Sequence, residues 1–104
     1  MSDLVPGVTP AGTGLDRVVW SVLGHTYHLK TDSESCFCFE TLDPPGTFVP
    51  LHVHPTQDEF IYVLEGRLDL RLGEAEVQAG PGDLVRMPKG IPHAYFNNTD
   101  APTR

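Results

Sequence analysis

The residues of this sequence with the clearest capacity for chemistry are His52 and His54, which stand two positions apart in the segment 50–55. Residues at i and i+2 of a β-strand point to the same face, with Cα atoms roughly 7 Å apart. The two imidazoles could therefore converge on one metal ion, although paired histidines on a strand are also common as ordinary surface or core residues. The pair by itself leaves both interpretations open.

A carboxylate and a third histidine add to this pair. Glu59 follows the short connection 55–58, and an antiparallel return of the chain would bring its carboxylate beside the two imidazoles. Glu59 could instead be a solvated acid at a strand end, but its place beside the apolar run 60–64 predicts partial burial, where a carboxylate needs a cation. His93 begins a later strand and is the fourth candidate; its alternative is a histidine satisfied after a turn.

Short strands between turns must position these side chains. Turn residues recur at intervals of roughly 8–12 residues, and in the segment 67–72 leucines alternate with charged residues, which is the period of a half-buried strand. The other strands are predicted over residues 17–23, 26–30, 36–42, 51–54, 59–64, 75–79, 83–87 and 93–97. Because no helical pattern of adequate length lies between them, the sequence predicts an all-β fold, an antiparallel sandwich or small barrel.

The spacing of these residues resembles the two sequence motifs of the cupin superfamily. The first motif is reproduced without deviation by Gly46, His52, His54, Glu59 and Gly66. The second is reproduced by Gly82, the tripeptide 88–90, His93 and Asn97. The strict match covers residues 46–97, about half the chain, and the preceding strands from Trp20 are similar to those of small single-domain cupins related to quercetin dioxygenase.

The resemblance implies a double-stranded β-helix, the jelly-roll barrel of cupins, with a divalent metal in its interior. It implies that the metal ligands are the matching residues His52, His54, Glu59 and His93. Imidazoles with one carboxylate suit iron, manganese, nickel, copper, cobalt or zinc better than calcium or magnesium, and they do not select among those metals. About two positions of an octahedral ion would stay open. Since the site would be net positive, we expect an anionic oxygen donor as its small-molecule ligand.

Two classes of function follow from this resemblance. The first is a metal-dependent oxidoreductase of the dioxygenase type, in which Glu59 leaves the metal and acts as a catalytic base on a small enolic or carboxylate-bearing compound. The second is a non-redox binding protein, a sensor or carrier, since no acid–base residue outside the metal ligands is recognisable. Isomerase, decarboxylase and cyclase activities also occur among cupins and come third.

The sequence departs from the family pattern after the second motif. Family members continue through a turn into a strand that closes the barrel, whereas residues 98–104 reach only the turn. We therefore expect the C-terminal closing strand to be missing: either this chain is shorter than the natural domain, or the open edge is covered by residues 1–15 or by another subunit. This predicts a homodimer formed by strand exchange or edge pairing.

Length and composition limit the other possibilities. A chain of 104 residues predicts one cupin domain over residues 16–104, preceded by an irregular arm over residues 1–15. The 14 acidic residues against 7 basic ones argue against nucleic acid as a partner. Because the start lacks a signal-peptide pattern and no apolar run approaches the length of a membrane span, we expect a cytoplasmic protein with no membrane partner.

The two cysteines, Cys36 and Cys38, are separated by one residue. This spacing is too short for an ordinary disulfide within a strand, and it fits a reducing compartment. The pair could present two thiolates to a metal, but a pair of half-buried strand thiols is the simpler interpretation.

Overall fold

The computed structural model describes residues 4–33 and 36–104. In these residues the chain forms nine β-strands, a 3-10 helix over Leu15–Arg17 and no α-helix. The strands are β1 (Val19–Val22), β2 (His25–Asp32), β3 (Phe37–Leu42), β4 (Phe48–His52), β5 (Glu59–Tyr62), β6 (Leu68–Leu72), β7 (Ala75–Ala79), β8 (Leu84–Met87) and β9 (His93–Phe96). The prediction of an all-β fold is confirmed.

The chain groups into two compact units, Met1–Leu42 and Asp43–Arg104. In the first unit β1, β2 and β3 form one antiparallel sheet in that order. Residues 4–14 have no helix or strand, and Lys30 of β2 holds part of this segment by donating through Nζ to the carbonyl oxygens of Pro10 and Thr13, at 2.6 and 2.8 Å. Residues 1–3 of the predicted arm lie outside the described residues, and the predicted arm and domain boundaries stay predictions.

The predicted half-burial of the two cysteine side chains is wrong. Cys36 and Cys38 are free thiols and both are exposed. The physical reason is that neither face of the sheet is covered at this end of β3, since the consecutive side chains of Phe37, Cys38 and Phe39 are all exposed. No helix in residues 4–33 and 36–104 has the length and hydropathy of a membrane span.

The second unit carries two antiparallel sheets. One has the strand order β4-β9-β6-β7, and the other pairs β5 with β8. Across the part of the chain that the structure describes, ladder hydrogen bonds do not join the strands into a closed barrel. Thr103 forms an antiparallel bridge with Asp43, and Arg104 exchanges backbone hydrogen bonds with Glu65. The end of the described chain is therefore held by the segments at Asp43 and at Glu65.

The core of the second unit is formed by side chains from both sheets. Its buried residues are Val63, Leu68, Leu70, Ala79, Val85, Met87 and Tyr95. Leu68 and Leu70 are buried while Arg71 is exposed, which confirms the alternation predicted for β6. Burying each large aliphatic side chain contributes about 1.5–3 kcal/mol. Because Met87 is directly opposite Glu59 in the β5–β8 pair, this core anchors the strand that carries the candidate carboxylate ligand.

Candidate metal centre

The second unit brings together all four residues singled out by their spacing. His52, His54, Glu59 and His93 each offer one nitrogen or carboxylate oxygen, and these atoms all lie within 4.8 Å of one another. The residues come from β4, from the loop after it, and from the first positions of β5 and β9. Residues distant in sequence are therefore gathered at the ends of strands.

The pairing of β4 with β9 places two of the imidazoles side by side. His52 is the last residue of β4 and lies directly opposite His93, the first residue of β9. Directly opposed residues have Cβ atoms about 4.5–5.5 Å apart, and the two ring centroids are 4.3 Å apart. Since His93 is only 1% exposed, this imidazole forms the inner wall of the cluster.

The strand predicted over residues 51–54 has different bounds in the structure. It begins at Phe48 and ends at His52, so His54 lies in the following loop and not on the strand. Pro50 stands inside the strand, where it is tolerated because β4 is an edge strand and its register shifts between Val49 and His52. The two histidines therefore converge through a strand end and a loop, and not through alternation along one strand.

Glu59 is the first residue of β5, but it does not arrive by the expected antiparallel return against β4. That pairing was predicted wrongly, because β5 pairs with β8 and β4 pairs with β9. The predicted partial burial is confirmed, since the side chain is 30% exposed. Its Oε2 atom lies 2.9 Å from Nε2 of His54 and 3.2 Å from Nε2 of His93.

These short separations are not hydrogen bonds. Glu59 Oε2 and His93 Nε2 are both buried, and neither has a hydrogen-bond partner. Burying a polar atom without a hydrogen-bond partner costs free energy, and a ligand bound to both atoms would remove that cost. Two ligand atoms at right angles around an ion, with bonds of about 2.1 Å, are about 3 Å apart. The distances to Glu59 Oε2 match that value, and the donor set fits a divalent transition metal.

Backbone carbonyls orient two of the imidazoles. Nδ1 of His52 lies 2.7 Å from the carbonyl oxygen of Pro50, and Nδ1 of His93 lies 3.4 Å from that of Ile91. A carbonyl oxygen can only accept, so each Nδ1 carries the proton and donates. The lone pair of Nε2 is then available to a metal in both rings. Sequence reasoning missed these partners, because every residue has a carbonyl and only the fold selects which one is used.

The fold is of the cupin type, and the four converging side chains form a group that could bind a metal. Residues 39–104 match the family model described as Cupin domain. Because this match covers more than half of the chain, the chain belongs to the cupin family.

Known proteins similar to this chain have diverse activities. The chain is 42% identical over 50 residues to quercetin 2,3-dioxygenase of Bacillus subtilis, a match that covers 48% of this chain and 15% of that protein. It is 32% identical over 65 residues to an uncharacterized protein of Methanocaldococcus jannaschii, covering 62% of this chain and 52% of that protein. The chain thus spans less than two thirds of the length of these curated relatives.

Solved structures agree on the fold. A cupin-superfamily sugar phosphate isomerase from Silicibacter pomeroyi is 30% identical with a TM-score of 0.66, over 77% of this chain and 55% of that one. A predicted oxalate decarboxylase from Thermotoga maritima is 19% identical with a TM-score of 0.78, over 94% of this chain and 92% of that one. The second comparison shows the fold alone.

Proposed function

We propose that this chain binds a divalent transition metal through His52, His54, Glu59 and His93 and acts as a dioxygenase-type oxidoreductase on a small enolic or carboxylate-bearing compound. The observation that carries the proposal is the convergence of Glu59 Oε2 with two imidazole nitrogens at 2.9 and 3.2 Å without hydrogen bonds. The similarity to quercetin 2,3-dioxygenase supports the reaction class. Iron, manganese, nickel, copper, cobalt and zinc all suit this donor set.

The exposure of the ligands indicates how a substrate reaches the site. The side chain of His54 is 40% exposed and that of Glu59 is 30% exposed, whereas that of His93 is 1% exposed. A small molecule therefore approaches from the side of His54 and Glu59. A metal held by His52, His54, Glu59 and His93 would act as a Lewis acid toward an anionic oxygen donor. Glu59, at the accessible side, accepts the proton of an enolic hydroxyl, and the buried His93 holds the opposite side fixed.

Oxygen uptake tests the reaction class. We expect protein loaded in turn with Fe(II), Mn(II), Co(II), Ni(II) or Cu(II) to consume dioxygen when a flavonol or another enolic compound from a panel is added. The variant Glu59→Gln, compared at equal measured metal content, should lose this uptake because an amide cannot accept the proton. Absence of uptake with every metal across the panel would contradict the proposal.

A non-redox role is the second candidate function. The likeness to a sugar phosphate isomerase at 30% identity favours chemistry without dioxygen, and a sensor or carrier would use the same metal centre to hold a ligand. Thermal shift with a panel of small carboxylates and sugar phosphates separates the candidates. Stabilisation of the metal-loaded protein together with inertness to dioxygen would favour binding or isomerisation over oxidation.

We also propose that the chain forms a homodimer in the cytoplasm. Apolar side chains on the outer face of the β5–β8 sheet support self-association: Phe60, Tyr62 and Leu84 are 60%, 57% and 50% exposed. Large exposed apolar patches mark interaction surfaces. Light scattering is expected to give twice the mass of one chain at micromolar concentration, and the mass of a single chain would contradict the dimer.

A further inference from the structure

We infer that Asp58 is a positioning residue for the metal centre, because its carboxylate ties the loop that carries His54 to the turn that precedes His93. The inference rests on the proposed metal binding and assigns a role to a residue outside the ligand set. Asp58 is exposed and lies within the loop between β4 and β5. Asp58 is not one of the four residues whose ligand atoms converge.

Two hydrogen bonds join the same pair of segments. Oδ1 of Asp58 accepts from the backbone N–H of Lys89 at 2.9 Å. The carbonyl oxygen of His54 accepts from the backbone N–H of Gly90 at 2.8 Å. Consecutive amides of the turn therefore hold the loop at His54 and again just before Glu59. The loop and the turn are fixed to each other at both points.

The ligands on either side depend on this connection. His54 lies beyond the end of β4 and before the start of β5, so no ladder of strand hydrogen bonds holds it. His93 follows Gly90 by three residues and is fixed from the other side by its pairing with His52. Metal ligands held in place before binding give higher affinity, because the ion does not have to order them. The Asp58 contact and the hydrogen bond from Gly90 to the carbonyl of His54 together supply that order where the sheet does not.

The turn itself is suited to this task. Gly90 has a φ of +79°, which L residues rarely adopt, and its N–H and that of Lys89 are the two consecutive amides that donate to the loop. Only the backbone of Lys89 is used, so its side chain is free of this role. Asp58 contributes one accepting oxygen to a backbone N–H, a role that an amide oxygen can also fill. In an exposed position such a bond adds little to global stability, and its effect should appear at the site.

Cobalt titration of four proteins tests the inference. Co(II) binding is followed by its visible absorption for the wild type, Asp58→Ala, Asp58→Asn and Lys89→Ala. We expect Asp58→Ala to bind Co(II) more weakly, by less than the roughly 10–100-fold that follows loss of a direct hydrogen-bond partner of a metal ligand, with an altered spectrum and an unchanged thermal midpoint of the metal-free protein. Asp58→Asn keeps the accepting oxygen and should bind like the wild type. Lys89→Ala keeps the amide and should also bind like the wild type.

The variants separate positioning from simple charge. If Asp58→Asn binds as weakly as Asp58→Ala, the negative charge and not the hydrogen bond matters, and the inference is overturned. Equal affinity of Asp58→Ala and the wild type would also overturn it while leaving the proposed metal binding intact. If the wild type itself binds no Co(II), the proposed function fails and the role of Asp58 fails with it.

Discussion

His52→Ala is expected to abolish stoichiometric metal binding, with an affinity reduced by more than the roughly 100-fold that marks loss of an outer partner. The reason lies in the geometry of the cluster. His52 is fixed at the end of β4, opposite His93, with Nδ1 hydrogen-bonded to the carbonyl of Pro50 and Nε2 available to the ion. Removing it deletes one donor, and the remaining donors do not rearrange because they belong to separate strands and a loop. Metal content after equilibrium dialysis measures the effect.

His28→Ala is the matched control for this prediction. His28 lies in β2, where its Nδ1 atom is 3.7 Å from a carboxylate oxygen of Glu40, and it takes no part in the converging group. We expect this variant to retain the metal content of the wild type. Full metal occupancy in His52→Ala would refute the ligand assignment, and an equal loss in both variants would show that the effect is not specific to the cluster.

Gly66→Ala is expected to destabilise the fold by about 2–5 kcal/mol, from a strained backbone and a steric overlap. Gly66 has a φ of +86°, and a Cβ added there would lie 2.5 Å from Oγ1 of Thr103 and 2.7 Å from the carbonyl oxygen of Pro102. Thr103 cannot simply move away, because its hydroxyl accepts from the N–H of Arg67 and donates to the carbonyl of the same residue. Urea denaturation of both proteins gives the difference in free energy of unfolding.

Gly46→Ala separates the two contributions. Gly46 has a similar φ of +80°, but apart from Gly46 and its two chain neighbours no atom of the described residues lies within 4 Å of the position of its added Cβ. This variant should therefore show only the backbone strain, about 1–2 kcal/mol. If both variants lose the same stability, the close approach of Thr103 to Gly66 does not contribute and the packing account is incorrect.

The sequence was most informative where periodicity or motif spacing reports directly on structure. The leucine alternation of β6 predicted its buried face, and the recurring turn residues predicted breaks between strands, two of which contain Gly66 and Gly82 at positive φ. The four converging residues were predicted because the motif spacing fixes which of them meet. Such features depend on local chemistry or on a pattern shared by a whole family.

Features that depend on nonlocal pairing could not be predicted from the sequence. The bounds of β4 were misplaced because Pro50 reads as a strand end, whereas an edge strand accommodates it. The strand pairing that brings Glu59 to the cluster also differs from the prediction. β5 pairs with β8, and the hairpin of β6 and β7 lies between them in sequence. The contact between Asp58 and the amide of Lys89 joins residues 31 positions apart, and the identity of neither residue predicts it.

Anomalous diffraction from crystals grown with Co(II) tests the central claim most directly. The measurement locates the ion without any assumption about activity, substrate or native metal. We predict one strong anomalous peak per chain, enclosed by the side chains of His52, His54, Glu59 and His93. A peak at another position, or no peak among these four side chains at saturating Co(II), would contradict the assignment of this cluster as the metal centre.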